Sequence, residues 1–252
     1  MKKRYFIELS YDGSDFCGWQ IQPNAPTVQE SINNALSVIL RQEISVVGCG
    51  RTDTGVHASH FFAHFDAVIE TFTLEKLMYK LNCMLPFSIA IHDLYEVKPE
   101  AHTRFDAISR EYKYFINIQK DPFTHQFAYK PNFIPDIDLM NDACKVLFDY
   151  IDFTSFSKLH TDAKTNNCKI MAAYWEKIGN QLVFTIKADR FLRNMVRAIV
   201  GTMLDIGRSK LSKDDLITII ESKNRCKAGV SVPGKALFLY RIEYNMDNLR
   251  IK

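Results

Sequence analysis

Residues 4–12 read RYFIELSYD, and two kinds of side chain alternate along this stretch. Its apolar and aromatic residues fall mostly on one face: Tyr5, Ile7, Leu9 and Tyr11. Its polar residues fall mostly on the other face: Arg4, Glu8, Ser10 and Asp12. A period of two residues is typical of a β-strand with one buried face. The stretch therefore predicts a half-buried opening strand.

Strands and helices alternate through the rest of the first hundred residues. A helix is expected to begin after Thr27, in TVQESINNALSVILRQ, because Thr27 and Glu30 have the spacing of a capping box. The other predicted elements of this half are a helix at 74–84 and strands at 44–47, 61–65 and 88–97. Because the connections are too short for every strand pair to be parallel, a largely antiparallel sheet is expected.

The second half repeats this order of elements. Its predicted strands lie at 109–119, 169–178, 182–188 and 238–244, and its predicted helices at 138–150, 189–206 and 213–222. The pair Gly179-Asn180 predicts the tight turn of a hairpin. The expected fold class is α+β: two similar α/β halves, residues 1–100 and 101–252, share a largely antiparallel sheet with helices on one face.

The composition narrows the class of protein. The chain has 252 residues, of which 47% are hydrophobic and 24% charged, as in a soluble globular protein with a sizeable core. A net charge of +3 permits an anionic partner but does not require one. The six cysteines include no CxxC pair, so reduced thiols and a cytoplasmic location are expected. Because no apolar run approaches the ~20 residues of a membrane span, no membrane partner is expected.

Three histidines lie close together along the chain: His57, His60 and His64. A zinc site of the common structural type would need further ligands, such as a nearby cysteine pair, to complete the set. The sequence offers no such pair beside them, so no metal site is expected.

A helical wheel over residues 189–208 separates apolar residues from basic ones. The basic side contains four arginines: Arg190, Arg193, Arg197 and Arg208. Guanidinium groups bind phosphates bidentately, so this ridge favours a phosphate-rich ligand, although an ordinary solvated face fits equally well. Three further residues extend the basic surface: Lys158, His160 and Lys164.

The loop GCGRTDTGVHASH, residues 48–60, contains one distinctive carboxylate, Asp53. An aspartic protease would need a second carboxylate to share a proton, and the chain has no second Asp-Thr-Gly or Asp-Ser-Gly. A glycosidase would also need a partner, for which Asp106 and Glu111 are undistinguished candidates. A phosphate-cradling loop is excluded because the stretch has no GK[ST] pattern.

Two interpretations of Asp53 remain. Arg51 lies two residues away, and a nearby cation favours an ionised carboxylate. The pair either stiffens a turn or prepares Asp53 as a lone nucleophile. The residues alone favour neither interpretation.

Longer stretches of the chain resemble a known family. The matching stretches are YDGSDFCGWQIQP (11–23), GRTDTGVHA (50–58), LNCMLPFSIA (81–90), FDAISREYKY (105–114), FLRNMVRAIVG (191–201) and ALFLYRIEY (236–244). In type and order they resemble the tRNA pseudouridine synthase A family. The resemblance extends from residue 5 to residue 244, nearly the whole chain.

The resemblance implies both an activity and a set of site residues. Members of the family isomerise uridines of the tRNA anticodon stem-loop, at positions 38 to 40, to pseudouridine without metal or cofactor. By motif position, Asp53 is then the catalytic aspartate, Tyr112 lines the uracil pocket and Arg51 is the basic residue of the same loop. The residues expected to bind RNA are Arg190, Arg193, Arg197 and Lys158.

The resemblance further implies an active-site cleft between the two halves and a homodimer whose monomers together form the RNA-binding clefts. The alternative is a non-catalytic RNA-binding protein of the same fold. Three positions depart from the family pattern: Thr54, Cys168 and Ala236. Thr54 and Ala236 are expected to reshape the pocket slightly, and Cys168 to weaken an RNA or structural contact.

Overall fold

The computed structural model describes residues 1–158 and 165–251. The chain divides into two compact units, one formed by Met1–Ile108 with Leu239–Lys252 and the other by Ser109–Phe238. Both units contain helices and strands, so the α+β class is confirmed.

The strands are β1 (Lys3–Tyr11), β2 (Val47–Gly48), β3 (His57–Ala67), β4 (Ile89–Val97), β5 (Ala107–Asn117), β6 (Ile170–Ile178), β7 (Gln181–Ala188) and β8 (Leu237–Tyr244). The α-helices are α1 (Val28–Leu40), α2 (Leu74–Met84), α3 (Ile137–Cys144), α4 (Met195–Gly207), α5 (Lys213–Glu221) and α6 (Met246–Leu249). None of the helices in the described ranges combines the length and the apolar character needed to cross a membrane.

In the first unit, β1 is a central strand. It pairs antiparallel with β3 on one side and β4 on the other, and the short β2 pairs with the far side of β3. The alternation of the opening stretch is confirmed for residues 8–11, but Phe6 is fully buried where the pattern predicts a solvated face. The rings of His64, Tyr95 and Tyr244 cover Phe6 on that face, which explains the difference.

Two helices of this unit form as the sequence predicts. The Thr27 hydroxyl accepts a hydrogen bond from the amide of Glu30, 3.4 Å away, and so caps α1. Helix α2 has the predicted bounds. The amides of the first two residues of α1, Val28 and Gln29, donate to the carbonyls of Gly18 and Trp19. The start of α1 is therefore joined to the loop that follows β1.

The second unit contains the antiparallel order β5-β7-β6, in which Tyr112 pairs with Ile186. The predicted turn at Gly179-Asn180 joins β6 to β7, and Gly179 has a φ of 56°. The predicted helix 138–150 is shorter than expected, because α3 gives way to a 3₁₀ helix at Lys145–Asp149.

The predicted helix 189–206 begins later than expected, at Met195. The Asp189 carboxylate accepts hydrogen bonds from the amides of Lys169 (2.8 Å) and Arg190 (2.7 Å) and thereby holds the backbone in a non-helical turn. Asn194, the N-cap, is left-handed with a φ of 67°. Arg190 and Arg193 therefore lie before α4.

Helix α4 is also buried on nearly all sides. The predicted arginine ridge does not form, because, of its four arginines, α4 contains Arg197 alone. Arg197 lies in the first turn of α4. Arg208 forms an ion pair with Asp205. Arg208 also lies over the ring of Phe133.

Candidate active site around Asp53

Asp53 lies in the loop that joins β2 to β3. Its side chain is half-buried, whereas Arg51 is exposed. The loop turns back just after Asp53: the amide of Val56 donates to the Asp53 carbonyl at 3.1 Å, and Gly55 has a φ of 72°. Asp53 is therefore the first residue of a tight, hydrogen-bonded turn.

The stretch after β1 packs against this loop at residues next to Asp53. The Tyr11 phenol and the Thr52 hydroxyl are 2.9 Å apart in a buried hydrogen bond. The amide of Trp19 donates to the carbonyl of Thr52 at 3.3 Å, and the amide of Gly55 donates to the carbonyl of Phe16 at 3.3 Å. The two separate sequence stretches, 11–23 and 50–58, therefore form one folded feature.

Glycines make this close approach possible. A Cβ atom on Gly18 would lie 2.3 Å from the Thr52 carbonyl oxygen, and Gly18 has a φ of +90°. A Cβ atom on Gly13 would lie 2.1 Å from the Val56 carbonyl oxygen. Larger residues at either position would push the two stretches apart.

Tyr112, the expected pocket residue, lies on β5 in the second unit and is half-buried. Its ring meets that of Phe191 edge to face, with centroids 5.1 Å apart and planes at 86°. Such a contact fixes the plane of the tyrosine ring.

The four expected RNA-binding residues are not equivalent. Arg193 and Lys158 are exposed, and the Lys158 amide donates to the Arg193 carbonyl at 3.0 Å, so their backbones lie side by side. Arg190 and Arg197 are half-buried. The Nε of Arg197 donates to the Val232 carbonyl at 2.8 Å, which gives this arginine a structural contact. His160 and Lys164, the other residues expected to extend the basic surface, lie outside the described residues.

Sequence analysis missed a segment that packs on α4, residues 228–233. Arg225 donates to the carbonyl of Gly229 and to the hydroxyl of Ser231, and Asn194 also donates to Ser231. A Cβ atom on Gly201 of α4 would lie 1.9 Å from the Val230 carbonyl oxygen. The small residues of AGVSVPG were the available signal for this close packing.

The three neighbouring histidines have separate partners. His57 contacts Asp12, His60 contacts Glu8, and His64 contacts Thr103. The described part of the chain contains no group of three or more residues with metal-ligand chemistry arranged to hold an ion.

The three positions that depart from the family pattern, and Asp106 as a possible second carboxylate, also have defined environments. Thr54 is exposed, and Ala236 is buried. Cys168 is buried, and burial raises the pKa of its thiol to about 12. The Asp106 carboxylate accepts a hydrogen bond from the His102 amide and stabilises a turn.

Comparisons with known proteins show which family this chain is similar to. A family profile described as tRNA pseudouridine synthase matches residues 144–245. A protein of Parabacteroides distasonis is 58% identical over 96% of this chain and 96% of its own length, and one of Bacteroides fragilis is 56% identical over 97% and 98%. A protein of Bacillus subtilis is 37% identical over 94% and 97%. All three are called tRNA pseudouridine synthase A.

Proposed function

The chain belongs to the tRNA pseudouridine synthase A family and is an isomerase of that class, and from this premise we propose that it modifies the anticodon stem-loop of tRNA with Asp53 as nucleophile. The target uridines are those at positions 38 to 40. One observation carries the proposal: Asp53 is a half-buried residue at the start of a tight turn that is held on both sides, at Thr52 and at Gly55.

The reaction is an internal rearrangement of one nucleotide. The bond between ribose C1′ and uracil N1 breaks, the base turns, and C1′ is rejoined to C5. The proton on C5 leaves and N1 gains one, so no group is added to or lost from the RNA. The enzyme must stabilise the nucleotide while its glycosidic bond is broken, and a covalent bond from a carboxylate to either the sugar or the base performs that task.

The target uridine must first leave its stack. Flipping a nucleotide costs a few kcal/mol, which contacts to the flanking phosphates offset. We assign these contacts to Arg190, Arg193, Arg197 and Lys158. The exposure of Arg193 and Lys158 and the adjacency of their backbones support this assignment most directly.

Asp53 then attacks the flipped nucleotide in its ionised form. Attack on the sugar and attack on the base both place the carboxylate in a transient covalent bond to the substrate. A preorganised loop favours this step because the carboxylate does not have to be ordered during the reaction.

Tyr112 and Arg51 are proposed as substrate-binding residues. We propose that the Tyr112 ring, which packs edge to face on Phe191, stacks on the uracil and that its phenol assists removal of the C5 proton. Arg51, exposed in the loop of Asp53, stabilises the flipped-out RNA through a phosphate.

We also propose that the active protein is a homodimer that binds tRNA across both monomers. Sedimentation velocity at micromolar concentration tests this: a dimer that binds tRNA supports the proposal, and a monomer that remains monomeric on tRNA contradicts it.

The activity is tested with a tRNA transcript that contains uridine tritiated at C5. Release of tritium to water together with retention of an intact RNA supports pseudouridine formation. A protein that binds the tRNA without releasing tritium would instead be a non-catalytic RNA-binding member of the fold. Cleavage of the RNA would indicate a hydrolase.

A further inference from the structure

We propose that His57 is a positioning residue that holds the catalytic loop of Asp53 through the contacts of its Nδ1 with Asp12 and with the amide of Gly13. This inference rests on the proposed role of Asp53 and assigns a function to a histidine that the reaction chemistry does not use. His57 does not contact the substrate in this account. It acts through the loop that follows β1.

The His57 side chain is 1% exposed, and its Nδ1 lies 2.9 Å from a carboxylate oxygen of Asp12. The amide of Gly13 donates a hydrogen bond to the same nitrogen at 3.0 Å. A polar ring this deeply buried is costly unless it is hydrogen-bonded. Both contacts are made by one ring nitrogen, and both point to the stretch that packs on the Asp53 loop.

One nitrogen cannot donate to Asp12 and accept from Gly13 at the same time. Asp12 already accepts hydrogen bonds from the amide and hydroxyl of Ser14. Burial acts to raise the pKa of Asp12, but the Ser14 hydrogen bonds and His57 outweigh it, so the pKa lies below its ordinary value. With a proton, Nδ1 donates to Asp12; without one, it accepts from the Gly13 amide, so either ring form joins His57 to the stretch after β1.

A short path joins this contact to Asp53. His57 is the first residue of β3, and Val56, next to it, donates its amide to the Asp53 carbonyl. Gly13, beside Asp12, packs closely against the Val56 carbonyl. The Asp12–His57 contact therefore fixes one end of the loop, while the Tyr11–Thr52 contact fixes the other.

The test compares two substitutions whose side-chain amides replace different ring nitrogens of His57. In His57→Asn the amide nitrogen occupies about the position of Nδ1, whereas in His57→Gln it occupies about that of Nε2. His57→Asn should therefore keep the contact with Asp12 and His57→Gln should lose it. The readouts are the single-turnover rate of tritium release, the Kd for tRNA and the Tm.

We expect His57→Gln to lower the single-turnover rate by about 10- to 100-fold, the effect of a displacement on the order of 1 Å, with an unchanged Kd for tRNA. His57→Asn should restore most of the rate. His64→Gln is the matched control, because His64 is a buried histidine of the same strand that bonds to Thr103 instead of the loop. It should lower the Tm and leave the rate unchanged.

Wild-type turnover by His57→Gln would overturn the proposal, and so would a rate loss shared equally by His57→Asn or by His64→Gln. If His57→Gln does not fold, Asp12→Ala removes the carboxylate that His57 contacts. This variant should fold, because the Asp12 side chain is 38% exposed. Its single-turnover rate should fall in the same way as that of His57→Gln. Asp53→Asn and the wild type test the proposed function in parallel. An inactive Asp53→Asn with a fully active His57→Gln would refute the role of His57 alone.

Discussion

The phenol oxygen of Tyr11 lies 2.9 Å from the hydroxyl oxygen of Thr52, and both side chains are buried. Tyr11 is the last residue of β1, and Thr52 immediately precedes Asp53. The sheet of the first unit is therefore joined directly to the residue beside the proposed nucleophile. This arrangement lets a rigid strand determine where a loop carboxylate lies.

The Tyr11 hydroxyl should matter more for turnover than for folding. Tyr11→Phe keeps the ring but leaves the Thr52 hydroxyl without this partner, which costs about 1 kcal/mol of stability. We expect a several-fold lower single-turnover rate with an unchanged Kd for tRNA. Tyr5→Phe, a buried tyrosine of the same strand, is the control and should leave the rate unchanged. Equal rates for the two variants would contradict this role.

Gly18 should not tolerate a side chain. Gly18→Ala places a Cβ atom 2.3 Å from the Thr52 carbonyl oxygen at a φ of +90°, so the Asp53 loop has to move. We expect a lower Tm and a strongly reduced rate of tritium release. Gly50→Ala is the control, because no atom lies within 4 Å of a Cβ at that position. Gly18→Ala with wild-type Tm and rate would show that the close contact is unimportant.

Arg193 and Arg197 should differ in how much they contribute to stability. Arg193→Gln should weaken tRNA binding, reduce the salt dependence of log Kd by about one unit of slope, and leave the Tm unchanged. Arg197→Gln should lower the Tm, because the bond to the Val232 carbonyl is lost. Lys177→Gln, at an exposed position of β6, is the control for loss of charge. An unaltered salt dependence in Arg193→Gln would contradict its assignment to RNA.

The free energy of unfolding should decrease in acid, because the pKa of His64 is lower in the folded protein than in the unfolded chain. Burial, with the positive charges of His102 and Arg4, lowers the pKa of His64 from 6.5 to about 4. Between these values the unfolded state binds a proton that the folded state does not, so the free energy of unfolding decreases as the pH falls, by up to about 3 kcal/mol. His64→Gln should flatten this part of the profile in urea titrations.

His125→Gln, which replaces an exposed histidine, is the control and should retain the wild-type profile. A His64→Gln protein with the same loss of stability between pH 7 and pH 4.5 would show that another group is responsible.

The sequence predicted those elements whose signals are local. The bounds of α2 and the cap of α1 at Thr27 agree with the structure, since both depend on neighbouring residues. The predicted start of α4 was wrong for two reasons. The Asp189 carboxylate accepts a hydrogen bond from the amide of Lys169, twenty positions away. Asn194 adopts a left-handed conformation that its flanking residues do not predict.

The candidate site was predictable only in part. The loop of Asp53 does connect two strands, as its flanking patterns indicated. The packing of Gly13 and Gly18 on that loop, and the contact of His57 with Asp12, join residues more than thirty positions apart. No periodicity or spacing specifies such contacts, because they depend on how the sheet is assembled.

Asp53→Asn tests the central claim most directly, with Asp15→Asn, an exposed aspartate of the facing stretch, as control. Both variants are assayed for tRNA affinity, for Tm and for tritium release from tRNA labelled at uridine C5. We predict that Asp53→Asn binds tRNA with the wild-type Kd, unfolds at the wild-type Tm and releases no tritium, while Asp15→Asn is fully active. A folded, tRNA-bound Asp53→Asn protein that forms pseudouridine at the wild-type rate would contradict the account.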